Sequence, residues 1–140
     1  MGRCYNTIDI DAPVDVVWNR LRNFHDMSWA EGVITDVKAV GDKGGLDIGA
    51  KRILNDAFHE TLVTMDPAHY TFSYSIDDGP GPVAKDAVER YIGTVKLSPS
   101  GEGTRVEWSS EFTSAADDEV AEFCNPIYSA LLDALKKSFA

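Results

Sequence analysis

Long hydrophobic runs are missing from this chain of 140 residues. No apolar run approaches the ~20 residues needed to span a bilayer, and the N-terminus carries no apolar segment of signal-peptide type. The expectation is a cytoplasmic protein with no stable membrane insertion. Cysteine is scarce too: Cys4 and Cys124 alone are too few for a disulfide framework, and Cys124 reads as a small core residue. Basic residues are outnumbered, 13 Lys and Arg against 23 Asp and Glu, for a net charge of −10. The short basic stretches Arg20–Arg22 and Lys136–Lys137 are isolated. That excludes nonspecific binding to nucleic acid or anionic membrane, which needs basic patches, and leaves the acidic surface as a solubility feature.

Metal and phosphate chemistry are absent by spacing. His25, His59 and His69 stand at no metal-ligand interval from one another or from either cysteine, so no metal is expected. Gly41–Gly49 is glycine-rich, but no Lys-Ser or Lys-Thr follows and it opens a strand rather than a helix, so it is no phosphate loop. There is no G-x-S-x-G elbow. No cofactor is expected, and the oligomeric state is open.

What the chain does have is periodicity. Val120, Phe123, Cys124, Ile127, Leu131, Ala134 and Leu135 recur at helical spacing between Ser114 and Ala140. Ser114 reads as the N-cap, acidic residues 117–119 crowd the first turn, and Lys136 and Lys137 close the last. A helix of about 24 residues is roughly 36 Å long and crosses a whole domain of this size. Pro126 inside the pattern predicts a bend.

Upstream, Cys4–Ile10 alternates as a first strand. Asp11 reads as the cap of a short helix with Pro13 in its first turn and Val14, Val17, Trp18 and Leu21 inward. Phe24 and Trp29 predict a second short helix ending near Ala30. Six further strands are predicted: Val33–Val40, Gly49–Leu54, Ala57–Met65, Tyr70–Ile76, Ala87–Leu97 and Thr104–Phe112. Turn residues separate most of them, and Ser98–Gly103 is expected to be the last hairpin turn. The order predicts one α+β domain over residues 1–140, an antiparallel sheet against one long helix.

A helix crossing a curved sheet touches it well along only part of its length. Large inward residues such as Tyr74, Tyr91, Trp108 and Phe112 face small helix residues such as Ala130 and Ala134, which either interdigitate or leave a cavity. The Gly- and Pro-rich Asp77–Pro82 loop is either an irregular connection or a lid.

Several runs resemble the Bet v 1-like, START-related (SRPBCC) superfamily of polyketide cyclases and lipid transporters. They are Ile8-x-Ile10-x-Ala12-Pro13-x-x-x-Val17-Trp18, Phe24 with Trp29, Gly49-x-x-Arg52, Glu60-x-Leu62, Tyr70-x-Phe72-x-Tyr74 and Gly103-Thr104-x-Val106-x-Trp108. The resemblance spans the chain in order. It implies the helix-grip fold, in which a seven-stranded antiparallel sheet wraps the C-terminal helix around an apolar cavity. The residue pattern itself predicts two short helices between the first two strands, capping one end of the sheet. Lys51-Arg52, Glu60-x-Leu62 and Tyr91-x-x-Thr94-Val95-Lys96 are similar to the lachrymatory-factor-synthase type within that superfamily, where Arg, Glu and Tyr support proton transfer.

The resemblance places Arg52 and Glu60 in or near the cavity. By alternation Glu60 shares a face with Phe58 and Leu62, and Arg52 with Ala50 and Leu54. The two form either a ligand-facing pair or a surface cross-strand pair. Three readings follow. In the first, the chain binds a small hydrophobic or amphipathic ligand (polyketide, isoprenoid or lipid-like) against Trp29, Arg52, Glu60, Tyr74, Tyr91, Trp108, Phe123, Ile127 and Leu131. In the second, it is a cofactor-independent cyclase, dehydratase or isomerase with Glu60 as base, Tyr91 or Tyr74 as acid and Arg52 stabilising an oxyanion. In the third, it is a protein-interaction module of chaperone-activator type.

Overall fold

The computed structural model describes residues 1–140. Its strands are β1 (Gly2–Ile10), β2 (Val37–Val40), β3 (Lys51–Leu54), β4 (Phe58–Asp66), β5 (Thr71–Asp78), β6 (Val88–Ser100) and β7 (Gly103–Ser114). Helix α1 (Val14–Leu21) follows β1, and helix α2 (Asp117–Lys137) ends the chain. All seven strands pair antiparallel in the order β1-β7-β6-β5-β4-β3-β2. Register shifts on β4, between His59 and Glu60 and between Leu62 and Thr64, and on β6, between Val88 and Arg90, bend the sheet. Its concave face holds α2, which lies nearest β1 and buries Val120, Cys124, Tyr128, Leu131, Leu132 and Leu135.

Several local expectations need correction. Ser114 is not the cap of α2; it ends β7, and the N-cap is Ala116. The Ser114 N–H donates to Asp117 Oδ1 at 2.9 Å, and its Oγ accepts from the Ala116 N–H at 3.1 Å. These side chains tie down the approach to the helix, which starts late and is about 32 Å long. It is continuous through Pro126.

Asp11 caps nothing: the N-cap of α1 is Pro13, with no side-chain bond. The second short helix is a series of turns. Asn23 Oδ1 accepts from the His25 N–H and Asp26 Oδ1 from the Ser28 N–H, both at 3.0 Å. Such local side-chain bonds offer the backbone an alternative to a helical ladder. Phe24, Met27, Trp29 and Ala30 are nevertheless buried, so the apolar pattern survives without the helix.

The second strand begins at Val37, not Val33. Asn55 and Asp56 form the β3–β4 turn, each at φ 54°. The Asn55 side chain accepts from the Thr35 N–H at 2.8 Å and donates to the Val33 carbonyl at 3.0 Å. Backbone groups that a strand would use are taken by that one amide. The β6–β7 hairpin is tighter than expected, turning at Gly101 (φ 61°) and Glu102, with Pro99 in the ladder. At that point β6 has passed the end of β5, so the proline faces no second strand. Between β5 and β6, Asp78 Oδ1 accepts from the Gly79 and Lys85 N–H groups at 3.0 Å each, and Val83 is buried.

Candidate functional site

The concave face and α2 do not meet everywhere. A cavity remains, walled by Arg52 and Leu54 of β3, Phe58 and Glu60 of β4, Tyr74 and Ile76 of β5 and Trp108 of β7. Helix α2 contributes Cys124, Ile127, Tyr128 and Leu131, and the turns after α1 contribute Met27 and Ile34. It contains about 420 Å³ of atom-free space including its mouth, yet only about 30 Å³ admits the centre of a water molecule. That is room for one or two waters, against roughly 300–1,000 Å³ for ordinary ligand sites. Three rings occupy the middle: Trp108 stacks on Tyr128 with centroids 5.4 Å apart and meets Tyr74 edge-on at 6.4 Å. Phe58 and Phe123 stack at 6.4 Å beside it.

Arg52 and Glu60 face each other across β3 and β4 and are 4% and 5% exposed. Arg52 Nε donates to Glu60 Oε1 at 2.8 Å, Nη2 approaches the same oxygen at 2.6 Å, and Nη1 donates to the Phe24 carbonyl at 3.0 Å. The guanidinium stacks 3.8 Å above the Phe24 ring and lies 5.5 Å from Tyr74. Three of its five N–H donors are thus used and two remain. Burial pushes the Glu60 carboxyl above the usual carboxylate range; the Arg52 charge and hydrogen bond pull against this, and Asp77 adds to the rise. Of the two surface and cavity readings of this pair, the geometry is that of the cavity.

A chain of hydroxyls runs inward from the same wall. Trp108 Nε1 donates to Tyr74 Oη at 2.9 Å, and Tyr74 Oη donates to Tyr128 Oη at 3.3 Å. Tyr128 Oη bonds Tyr91 Oη, which donates to Ser110 Oγ at 3.0 Å. Desolvation pushes all three tyrosines upward, so they are neutral hydroxyls at physiological pH.

Glycine makes room for this arrangement. Gly93 of β6 is the register partner of Tyr74, and a Cβ there would overlap the Tyr74 phenol ring.

Of the residues expected at the site, Arg52, Glu60, Tyr74, Trp108, Ile127 and Leu131 line the cavity. Tyr91, Trp29 and Phe123 do not. Tyr91 stacks on Phe112 with centroids 5.4 Å apart and sits behind Tyr128. Trp29 packs beside Trp108 at 6.4 Å, and its Nε1 is the one buried side-chain polar atom without a partner. Phe123 is half-buried against Phe58. Sequence reasoning missed Tyr128, four residues after Cys124 on the same stripe; that spacing was the available signal. It also missed Gly93, whose place inside an aromatic-flanked strand signals close approach.

A curved seven-stranded antiparallel sheet gripping a C-terminal helix, with a mostly apolar cavity between, is the helix-grip fold of the Bet v 1-like superfamily. Within it, the chain belongs to the family described as polyketide cyclase / dehydrase and lipid transport, which matches residues 1–140. A protein of Nitrosospira multiformis is 41% identical, with a TM-score of 0.95, over 99% of this chain and 96% of that one. Norcoclaurine synthase from Thalictrum flavum, solved with dopamine and hydroxybenzaldehyde, is 18% identical with a TM-score of 0.72, over 96% of this chain and 84% of that one. Major latex-like protein 151 from Panax ginseng is 13% identical with a TM-score of 0.79, over 99% and 97%. The last two share the fold. No functionally curated protein matches the chain.

Proposed function

We propose that this protein binds a small amphipathic molecule, an apolar and flat body ending in one carbonyl, phenolate or carboxylate oxygen, in the cavity under α2. The observation that carries this reading is the Arg52–Glu60 pair, buried in a wall otherwise built of apolar and aromatic side chains. A buried ion pair stabilises no better than apolar residues of the same volume, so its value lies in what it recognises. The two remaining guanidinium N–H groups suit an oxygen acceptor, and Tyr74 and Tyr128 suit a flat ring. The narrow cavity means that the ligand displaces rings that line it, Phe58, Tyr74, Trp108 and Tyr128. The polyketide or lipid-transport character of the family fits a ligand of this kind.

The test is thermal unfolding with a panel of aromatic and isoprenoid acids, ketones and phenols. A ligand that binds only the folded state raises the midpoint in proportion to the logarithm of its concentration. Shifts confined to compounds with an oxygen-bearing end support the reading. A flat response across the panel removes it.

The second reading is cofactor-independent proton transfer in the same cavity. It is favoured by the upward shift of Glu60, which brings a carboxylate closer to the proton affinity a general base uses near neutrality. Tyr74 then serves as acid in preference to Tyr91. A Glu60→Gln variant that turns over a bound ketone at the wild-type rate rules this out.

A further inference from the structure

The hydroxyl chain behind the cavity has a direction. The Trp108 indole N–H is a donor only, and it donates to Tyr74 Oη at 2.9 Å. Between Tyr74 Oη and Tyr128 Oη, at 3.3 Å, the donor is Tyr74; between Tyr91 Oη and Ser110 Oγ, at 3.0 Å, the donor is Tyr91. The bond between Tyr128 and Tyr91 fits either donor. Each hydroxyl has a single proton, and that of Tyr91 is already on Ser110, so Tyr128 donates to Tyr91. All three phenol protons therefore point one way, toward Ser110 of β7, which is 3% exposed.

Of these hydroxyls, those of Tyr74 and Tyr128 belong to residues that line the cavity. Tyr74 accepts from Trp108 and gives to Tyr128; Tyr128 accepts from Tyr74 and gives to Tyr91. Each keeps one lone pair and has no proton left. Donors remain at the charged end, in the two unspent N–H groups of Arg52, whose guanidinium carbon is 5.5 Å from the centre of the Tyr74 ring. No single hydroxyl can turn its proton toward the cavity alone. If Tyr74 does so, Tyr128 and then Tyr91 must reverse too, or a bond of the chain is lost.

We propose that the cavity is polarised, donating hydrogen bonds at Arg52 and accepting them at Tyr74 and Tyr128, and that its ligand carries a hydroxyl or amino group on the flat body, away from the oxygen that Arg52 holds. This rests on the ligand-binding reading above and narrows it to hydroxylated or aminated aromatic acids and ketones. A carbonyl or ether oxygen laid against the two tyrosines meets lone pairs, and it gives up its water without a replacement. A hydroxyl or amine in the same place supplies the proton and leaves the chain intact. An acid at Tyr74, as proton transfer in this cavity requires, needs the whole chain reversed.

The experiment is calorimetric titration of the full chain with benzoic acids, cinnamic acids and acetophenones, each carrying a para-hydroxyl, para-amino or para-formyl group. The hydroxyl and amino compounds bring a proton and should bind roughly 2- to 10-fold more tightly than the formyl compound of the same parent, the range of one neutral hydrogen bond. In Tyr128→Phe the Tyr74 proton loses its acceptor and becomes available to the ligand, so the formyl compound should gain and the ratio fall to one or below. A formyl compound that binds wild type as tightly as its hydroxyl and amino counterparts, or more tightly, overturns the polarity and leaves the ligand-binding reading standing. No binding by any compound removes that reading and this inference together. Each of these outcomes is read on the wild-type protein, so a variant that fails to fold does not obscure them.

Discussion

At the scale of single residues, Arg52 and Glu60 are the most consequential choice in the chain. Each charge is tolerated because the other is present: removing one leaves an uncompensated buried charge, while replacing both removes the problem. We therefore expect Glu60→Leu to lose about 3–5 kcal/mol in chemical denaturation and Arg52→Met with Glu60→Leu to recover most of it. A double variant no more stable than the single would show that the pair is not isolated in this way.

Glu60 also sets a pH dependence. Its folded-state pKa is raised, chiefly by burial, so the native chain binds this proton more tightly than the unfolded chain does. Its contribution to stability is full below the ordinary carboxylate value of about 4.3 and is lost as pH rises through the folded-state value. The stability of wild type relative to Glu60→Gln should accordingly fall between pH 4 and neutrality. A difference that rises over that range would place the Arg52 attraction above the burial cost.

Part of this scale was legible in the sequence. Alternation put Glu60 on the face of Leu62, which is fully buried, and that face is the cavity wall. Alternation does not give depth along a strand, however. Tyr91 points inward as its pattern predicts, yet Tyr128 from α2 stands between it and the cavity. The hydroxyl of Tyr128 disguised a core position that its spacing from Cys124 would have marked.

At the scale of elements, periodicity located every strand and both long-range partners of the grip. Side-chain bonds to the backbone decided where the elements stop. The Asn55 amide ends the strand ahead of β2, and Asn23 and Asp26 dissolve the second short helix into turns. These are local competitions between a side chain and a ladder, invisible to a hydrophobic pattern.

Two predictions belong here. Gly93→Ala forces the Tyr74 ring off β6 and should cost about 1–3 kcal/mol, with Tyr74 displaced toward Trp108. Unchanged stability and near-UV dichroism would mean that the ring has free space elsewhere. Asn55→Ala removes the bonds to Thr35 and Val33 and puts a Cβ-bearing residue without a local partner at φ 54°. It should cost about 1–3 kcal/mol and speed hydrogen exchange at the Thr35 amide, close to the cavity residue Ile34. An exchange rate equal to wild type would show that the amide is held by other means.

At the scale of the whole molecule, the sheet and α2 form a closed grip around space that is nearly filled. No helix is long and apolar enough to cross a membrane. The cavity's walls hold charge at one end and rings through the middle, so on the proposed function ligand size is governed by how far Phe58, Tyr74, Trp108 and Tyr128 move. No pattern in the sequence carries that volume, because it depends on the rotamers of rings contributed by three strands and a helix.

Recognition by the buried pair is read from the dissociation constant of the best oxygen-bearing ligand for wild type and for the Arg52→Met/Glu60→Leu variant, which keeps the cavity's volume and removes its charge. Charged hydrogen bonds contribute about 1.5–3 kcal/mol each, so affinity should be roughly 10- to 100-fold weaker in the variant, with an apolar analogue binding both alike. Equal affinity of the oxygen-bearing ligand for the two proteins would contradict a recognition role for Arg52 and Glu60.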